Sequence, residues 1–121
     1  MPRILIIDDD DALRQFLCEA LQDHGYSVEE KSNGALGLKA YRMQPADVVL
    51  TDIVMPTKEG LETIQEFRRS FPDVKIIAMS GGLTTSKLDP LPIAKQFGAS
   101  YILKKPFSIE ELLDAIRQTI S

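Results

Sequence analysis

Four consecutive aspartates, Asp8 to Asp11, follow a short apolar run near the start of the chain. Carboxylates this close together repel one another and resist joint ionisation unless a cation lies between them. Oxygen ligands without histidine or cysteine favour Mg²⁺, which binds through one or two carboxylates and keeps several waters. Asp10 or Asp11 also suits a simpler role, as the N-cap of a following helix. Because capping accounts for only one of the four, the aspartates also indicate a metal site.

Three more polar residues follow apolar runs further along the chain: Asp52, Ser80 and Lys105. A carboxylate at Asp52 suits a nucleophile that forms an acyl phosphate, although a turn residue before Pro56 is the simpler interpretation. Lys105 could neutralise charge on transferring oxygens, and Ser80 could donate a hydrogen bond to one of them. Taken alone, Lys105 is equally consistent with a solvated surface lysine, so the pattern gains its meaning only if these residues meet.

The sequence between these polar residues alternates strand and helix patterns. Apolar runs predict buried strands at residues 4–7, 47–51, 74–79 and 101–103, and polar alternation predicts a more exposed strand at 26–31. Helical periodicity predicts helices at about residues 13–21, 34–43, 61–71, 93–97 and 109–120. Gly25 ends the first helix, and Ser108 with Glu111 forms a capping-box signature before the last. Pro90 and Pro92 confine the fourth helix to a short segment.

Strict alternation of strands and helices predicts a parallel sheet with helices packed on both faces. In such sheets, binding sites form at the carboxyl ends of the strands, near the point where the strand order reverses. The aspartate run, Asp52, Ser80 and Lys105 all lie at predicted strand ends. We therefore expect them to meet at one edge of the sheet.

The composition excludes several classes of protein. The chain has 121 residues, enough for one compact domain with a substantial core. Its 14 basic and 18 acidic residues give a net charge of −4, which argues against a general nucleic-acid binder. The only cysteine, Cys18, cannot form an internal disulfide, which indicates a reducing compartment and an inert, buried thiol. The apolar run at residues 4–7 is too short for a membrane span or a signal peptide, so we expect a cytoplasmic protein.

Four segments give the chain a resemblance to the receiver domains of response regulators in two-component signalling. The segments are Ile4-Leu5-Ile6-Ile7-Asp8-Asp9-Asp10, Asp52-Ile53-Val54-Met55-Pro56 with Gly60, Met79-Ser80-Gly81 and Lys105-Pro106-Phe107. Each is common alone, but all four in order, each at the end of a predicted strand, form a specific pattern. The resemblance implies a single receiver domain over residues 1–121 with the flavodoxin-like (βα)5 fold. That fold is a doubly wound, five-stranded parallel sheet in three α/β/α layers.

The resemblance also implies a role for each site residue. Asp52 is the phosphoacceptor, and Ser80 and Lys105 contact the phosphoryl group and couple its arrival to a change of shape. The implied cofactor is Mg²⁺, with these protein ligands: Asp9 and Asp52 directly, Asp8 through water, and the backbone carbonyl of Val54. The family often has a cis bond before the proline that corresponds to Pro106.

The implied function is that of a phosphorylated signal carrier. The chain accepts a phosphoryl group from a sensor histidine kinase or a histidine phosphotransfer protein and signals through contacts with a downstream protein. It catalyses its own phosphorylation and dephosphorylation, and no turnover of an external substrate is expected. No direct contact with nucleic acid or membrane is expected. The expected form is a stand-alone receiver, either a monomer or a weak, phosphorylation-dependent dimer.

Two features depart from the family's pattern. The position three residues before Lys105, usually Tyr or Phe, is Ile102, and the aromatic residue stands at Tyr101 instead. Since adjacent strand residues point to opposite faces, Tyr101 is not expected to replace the usual aromatic switch. The segment at residues 83–93 is longer and richer in proline than usual, so partner mode and dimer geometry do not follow from the resemblance.

Three other functions stay open at this point. A small Mg²⁺-dependent phosphatase with an aspartyl-phosphate intermediate would carry a second acid two residues after its nucleophile, where this chain has Val54. A flavodoxin-like nucleotide or flavin binder needs a glycine- or hydroxyl-rich phosphate loop after the first strand, where this chain has four aspartates. A receiver fold that no longer takes phosphate would act only as a docking surface.

Overall fold

The structure, a computed structural model, describes residues 2–53, 58–80 and 98–120, without the side chains of residues 58–61 and of Ser80. The strands within these ranges are Arg3–Ile7 (β1), Ser27–Lys31 (β2), Val48–Ile53 (β3), Ile76–Ser80 (β4) and Tyr101–Lys104 (β5). The helices are Asp11–Asp23 (α1), Gly34–Met43 (α2), Lys58–Ser70 (α3) and Ile109–Ile120 (α4). The helix predicted at residues 93–97 lies outside the described residues. Among the helices that are described, none is long and apolar enough to cross a membrane.

The strands form one parallel sheet in the order β2-β1-β3-β4-β5. The predicted parallel sheet is therefore confirmed, and the strand ends differ from the predicted ones by at most two residues. The strand order reverses between the neighbouring strands β1 and β3. In a doubly wound sheet a crevice opens at the carboxyl ends of the two strands that flank this reversal.

Alternate strand residues pack into two apolar layers, one on each face of the sheet. Leu5 and Ile7 of β1 join the layer that contains Phe67 of α3, whereas Ile4 and Ile6 join the opposite layer. The helix side chains of that opposite layer come from α1 and α4: Leu17, Leu21, Leu112, Leu113, Ala115 and Ile116. Each fully buried leucine or isoleucine side chain in this layer contributes about 1.5–3 kcal/mol to the free energy of folding. The result is the implied three-layer α/β/α arrangement, in which helices pack on both faces of the sheet that carries the carboxyl edge.

Local hydrogen bonds set the helix ends near this edge. Asp10 is the N-cap of α1, and its side chain accepts a hydrogen bond from the Leu13 amide at 3.1 Å, as predicted for one of the aspartates. The capping box of Ser108 and Glu111 forms in both directions, with two hydrogen bonds of 3.1 Å. At the opposite edge of the sheet, beside the start of β1, Gly25 has a φ of +88°, which glycine adopts without strain, and the chain leaves α1 for β2 at this turn.

Candidate functional site

Polar residues from three strands meet at the carboxyl edge of the sheet. Asp8 directly follows β1, Asp52 lies one residue before the end of β3, and Lys105 directly follows β5. The ammonium nitrogen of Lys105 lies 2.7 Å from Asp52 Oδ1 and 3.8 Å from Asp8 Oδ2. Because β4 lies between β3 and β5, the Lys105 side chain extends across the end of β4 to reach Asp52. The predicted convergence is confirmed for these three residues.

Asp52 lies inside a strand and not just after one. The sequence pattern predicts that the strand ends at residue 51, but β3 continues to Ile53 and pairs Asp52 with Met79 of β4. The neighbours Thr51 and Ile53 are buried, whereas the Asp52 side chain retains 7% exposure at the edge of the site. The Asp52 carboxylate is thus presented by a paired strand, which restricts its position more than a loop would.

The Asp8 carboxylate is the more deeply buried of the two, with no exposed side-chain surface. Its Oδ1 accepts a hydrogen bond from the Asp10 amide at 2.9 Å, whereas its Oδ2 has no hydrogen-bond partner within the described part of the chain. Burial raises the pKa of Asp8, the negative charges of Asp52 and Asp9 raise it further, and the Asp10 amide and Lys105 oppose the rise. A buried polar atom without a partner costs about 1–3 kcal/mol, so Asp8 Oδ2 is suited to a ligand that removes this cost.

The donor set fits a hard divalent cation. One carboxylate oxygen each from Asp8, Asp9 and Asp52 lies within 4.8 Å of the other two. Asp8 is buried, Asp52 is partly exposed and Asp9 is exposed, so the cluster opens to solvent on the Asp9 side. A cluster of carboxylate oxygens that water can reach is typical of Mg²⁺ sites, because this ion retains several of its waters. Asp8 Oδ2, which lies 3.8 Å from Lys105 Nζ but accepts no hydrogen bond within the described residues, supports the same assignment.

Two predicted site residues fall wholly or partly outside the described residues. Val54, whose backbone carbonyl is the remaining predicted metal ligand, is one of them. Ser80 is the last residue of β4 and pairs with Lys104, so its backbone lies at the carboxyl edge, but its side chain is outside the description. The peptide bond between Lys105 and Pro106 is cis, as the resemblance implies.

Arg14 of α1 contacts the backbone of the site at Asp8, a role that no pattern in the sequence indicated. Its Nη1 donates a hydrogen bond to the backbone carbonyl of Asp8 at 2.7 Å. Its Nε donates to Glu30 Oε1 of β2 at 2.9 Å, and its Nη2 donates to Asp11 Oδ1 at 2.7 Å. The available signal was a basic residue one helical turn after the aspartate run. That signal points to Asp11 alone, since the contacts to Asp8 and Glu30 depend on the pairing of β1 with β2.

Ile102 and Tyr101 lie on opposite faces of β5. Ile102 belongs to the apolar layer under α2 and α3, and Tyr101 packs against the layer under α1 and α4. The two side chains therefore point to opposite faces, as predicted, and Tyr101 does not occupy the position of the usual aromatic residue.

Cys18 is a half-buried residue of α1. Burial raises the pKa of its thiol to about 11, and a hydrogen bond with Glu30 contributes to the rise. The thiolate is the nucleophilic form of cysteine, so a pKa this high agrees with the prediction of an inert thiol, whereas the predicted full burial is not found, because Cys18 stays partly exposed.

Comparison with known proteins shows what the chain is similar to. The model of the response regulator receiver domain family matches residues 4–117. The response regulator receiver protein CpdR of Brucella abortus is 34% identical over 120 residues, which cover 99% of this chain and 98% of CpdR. The sensor kinase CckA of the same organism is 34% identical over 119 residues, which cover 97% of this chain and 12% of the kinase. The chain likewise spans 49% of the response regulator MprA of Mycobacterium leprae.

Solved structures share the fold over nearly the whole chain. A CheY-like response regulator receiver domain protein from Methanospirillum hungatei superposes with a TM-score of 0.87 at 28% identity, covering 99% of this chain and 94% of that one. The response regulator TrrA of Thermotoga maritima superposes with a TM-score of 0.82 at 31% identity, covering 98% and 99%.

Proposed function

Because the chain belongs to the response regulator receiver domain family, we propose that it accepts a phosphoryl group on Asp52 and signals through contacts with other proteins. Domains of this family are signalling modules without turnover of an external substrate. The observation that carries the proposal is the 2.7 Å contact between Lys105 Nζ and Asp52 Oδ1, made beside a cluster of three carboxylates. The phosphodonor is a sensor histidine kinase or a histidine phosphotransfer protein. The receiver unit spans residues 1–121 and works in the cytoplasm.

Asp52 is the nucleophile of this reaction. One of its carboxylate oxygens forms the new bond to phosphorus while the bond from phosphorus to the donor's histidine nitrogen breaks. Such a transfer depends on positioning and charge neutralisation more than on proton transfer. The paired strand β3 supplies the positioning, since Asp52 is held in register with Met79. Lys105 supplies a positive charge at the edge of the same carboxylate.

Asp8, Asp9 and Asp52 would hold a magnesium ion, together with the backbone carbonyl of Val54. When bound, Mg²⁺ neutralises charge on the oxygens of the transferring phosphoryl group. The buried Asp8 Oδ2, which accepts no hydrogen bond within the described residues, supports this assignment, as does the mutual distance of the three carboxylates. The structure of the relative TrrA was solved in complex with Mg(2+)-BeF, which supports it further.

Lys105 and Ser80 respond to the new phosphoryl group. Lys105 lies beside two carboxylates, so a phosphoryl group on Asp52 adds further negative charge within its reach. The hydroxyl of Ser80 donates a hydrogen bond to a phosphoryl oxygen, and the register of β4 with β5 supports this role by bringing its backbone to the same edge. The added charge shifts the surrounding surface between two states, which a partner protein reads.

Mass spectrometry after incubation with Mg²⁺ and acetyl phosphate tests the proposal. The wild type is expected to gain one phosphoryl group, Asp52→Asn is expected to gain none, and the matched control Asp114→Asn is expected to behave as the wild type. Asp114 is an exposed residue of α4 whose carboxylate pairs with Arg117 at 2.6 Å. Absence of any gain on wild-type Asp52, under conditions that label another receiver domain, would overturn the proposal.

A further inference from the structure

Arg14 links the end of β1, the strand β2 and the start of α1 through hydrogen bonds next to the carboxylate cluster. Its guanidinium donates to the backbone carbonyl of Asp8 at 2.7 Å, to Glu30 of β2 at 2.9 Å and to Asp11 of α1 at 2.7 Å. The contact to Asp8 differs in kind from the other two, because it fixes main chain and not a side chain. The carbonyl of Asp8 belongs to the peptide group that leads directly into Asp9.

The Arg14 contacts are not those of an ordinary surface ion pair. Arg117 of α4 offers the matched comparison, since it also pairs with an aspartate three residues earlier, Asp114, at 2.6 Å. The Arg117 side chain is 61% exposed, whereas that of Arg14 is 14% exposed. Exposed pairs contribute little to stability. The Arg14 guanidinium is mostly covered and donates to three acceptors, so its planar group is held in one orientation.

Three groups of Asp8, its amide, its carbonyl and its Oδ1, each make a hydrogen bond. Its amide donates to the carbonyl of Lys31 at 3.1 Å, its carbonyl accepts from Arg14, and its Oδ1 accepts from the Asp10 amide at 2.9 Å. These contacts fix both peptide groups that flank Asp8. The remaining oxygen, Oδ2, is left to face the cluster and Lys105.

We propose that Arg14 is a positioning residue for the metal cluster, which orients Asp8 and Asp9 through the Asp8 carbonyl, and that Glu30 acts on the cluster through Arg14. The inference rests on the proposed Mg²⁺ site and extends it to residues that do not touch the ion. Contacts of this kind to the groups behind a metal ligand typically change metal affinity by about tenfold or more when removed.

The direction in which Mg²⁺ affinity changes when Arg14 is removed distinguishes a positioning role from a purely electrostatic one. Arg14 is a cation near the cluster, so its removal by charge alone would leave Mg²⁺ binding unchanged or make it tighter. Loss of a positioning contact makes binding weaker. A purely structural role in folding would lower the unfolding temperature without changing the dissociation constant of the folded protein.

The experiment is a Mg²⁺ titration of the ¹⁵N-labelled protein followed by NMR, at a temperature where every variant is folded. Arg14→Gln is expected to raise the dissociation constant about tenfold. Arg14→Lys, whose single ammonium cannot contact Asp8 and Glu30 with the same fork, is expected to fall between Arg14→Gln and the wild type. Arg117→Gln, which removes the same charge and the same helical pairing, is expected to match the wild type. Equal or tighter binding in Arg14→Gln would overturn the inference, whereas no binding in the wild type would overturn the proposed site itself.

A double-mutant cycle tests the part assigned to Glu30. Glu30→Gln alone is expected to weaken Mg²⁺ binding, and in the Arg14→Gln background it is expected to add no further change. An undiminished effect in that background would show that Glu30 acts by its charge and not through Arg14.

Amide hydrogen exchange in the metal-free protein gives a readout that does not depend on the ion. The amide of Asp10 donates to Asp8 Oδ1, and the amide of Asp8 donates to Lys31. Both amides are expected to exchange faster in Arg14→Gln than in the wild type, with no change in Arg117→Gln. Unchanged exchange at both amides would contradict a positioning role.

Discussion

The ammonium nitrogen of Lys105 lies 2.7 Å from Asp52 Oδ1, although 53 residues separate the two in the chain. The Lys105 side chain is 23% exposed and that of Asp52 is 7% exposed, so the pair is partly shielded from water. A second carboxylate, Asp8, lies 3.8 Å from the same nitrogen. One cation thus stands beside two acids at the point where we propose that a phosphoryl group is added.

Replacing Lys105 by methionine is expected to slow phosphorylation by acetyl phosphate about 10²-fold at saturating Mg²⁺, the usual effect of losing one group that stabilises a transition-state charge. The measurement is the initial rate of mass gain on the protein. Lys104→Met is the matched control, because Lys104 is an exposed neighbour on β5. A rate for Lys105→Met within twofold of the Lys104→Met rate would contradict a role in transfer.

Asp8→Asn is expected to raise the stability of the metal-free protein at neutral pH by about 1–3 kcal/mol, because it removes a buried charge whose Oδ2 lies 3.8 Å from Lys105 Nζ but accepts no hydrogen bond within the described residues. Because the folded-state pKa of Asp8 lies above its ordinary value of 3.8, the stability of the wild type falls as the pH rises from that ordinary value through the raised pKa, and it stays lower above it. The gain is therefore expected to vanish as the pH falls below that ordinary value. Urea unfolding at several pH values measures it, with Asp114→Asn as the exposed control.

Mg²⁺ is expected to stabilise the folded wild type and so to raise its unfolding temperature. At a Mg²⁺ concentration one hundred times the dissociation constant, the free energy of unfolding is expected to rise by about 2.7 kcal/mol. Asp8→Asn and Asp9→Asn are expected to lose most of this stabilisation. The affinity for Mg²⁺ is expected to fall as the pH drops through the raised pKa of Asp8, since a ligand carboxylate must be ionised. Thermal melts with and without EDTA report the effect, and equal stabilisation of all three proteins would exclude the cluster as the site.

The thiol of Cys18 is expected to react slowly with iodoacetamide in the folded protein. A pKa of about 11, against an ordinary value of 9.0, lowers the thiolate fraction near pH 8 about a hundredfold. The rate is expected to keep rising up to the highest pH at which the fold persists, whereas the urea-unfolded chain is expected to level off near its ordinary pKa. A folded-state inflection at or below pH 9 would contradict the burial of this thiol.

Much of the fold follows from local patterns in the sequence. Strand runs, helical periodicity and the Ser108–Glu111 capping box each depend on residues within a few positions of one another, and all of these predictions hold in the described residues. The alternation of strands and helices also predicts the parallel sheet. The order of the polar residues at the strand ends therefore predicts where the site forms and which types of residue meet there.

Only the tertiary structure decided how these residues contact one another. Asp52 lies inside β3 because pairing with β4 extends the strand past the end of its apolar run. Lys105 reaches Asp52 because its side chain extends across the end of β4, which lies between their strands. Arg14 reaches Glu30 and the Asp8 carbonyl because β2 pairs with β1. Hydrogen-bond partners and burial at this edge are set by strand order and register, which no local pattern in the chain encodes. Residue types and spacing were therefore enough to predict the kind of site, whereas its geometry required the assembled sheet.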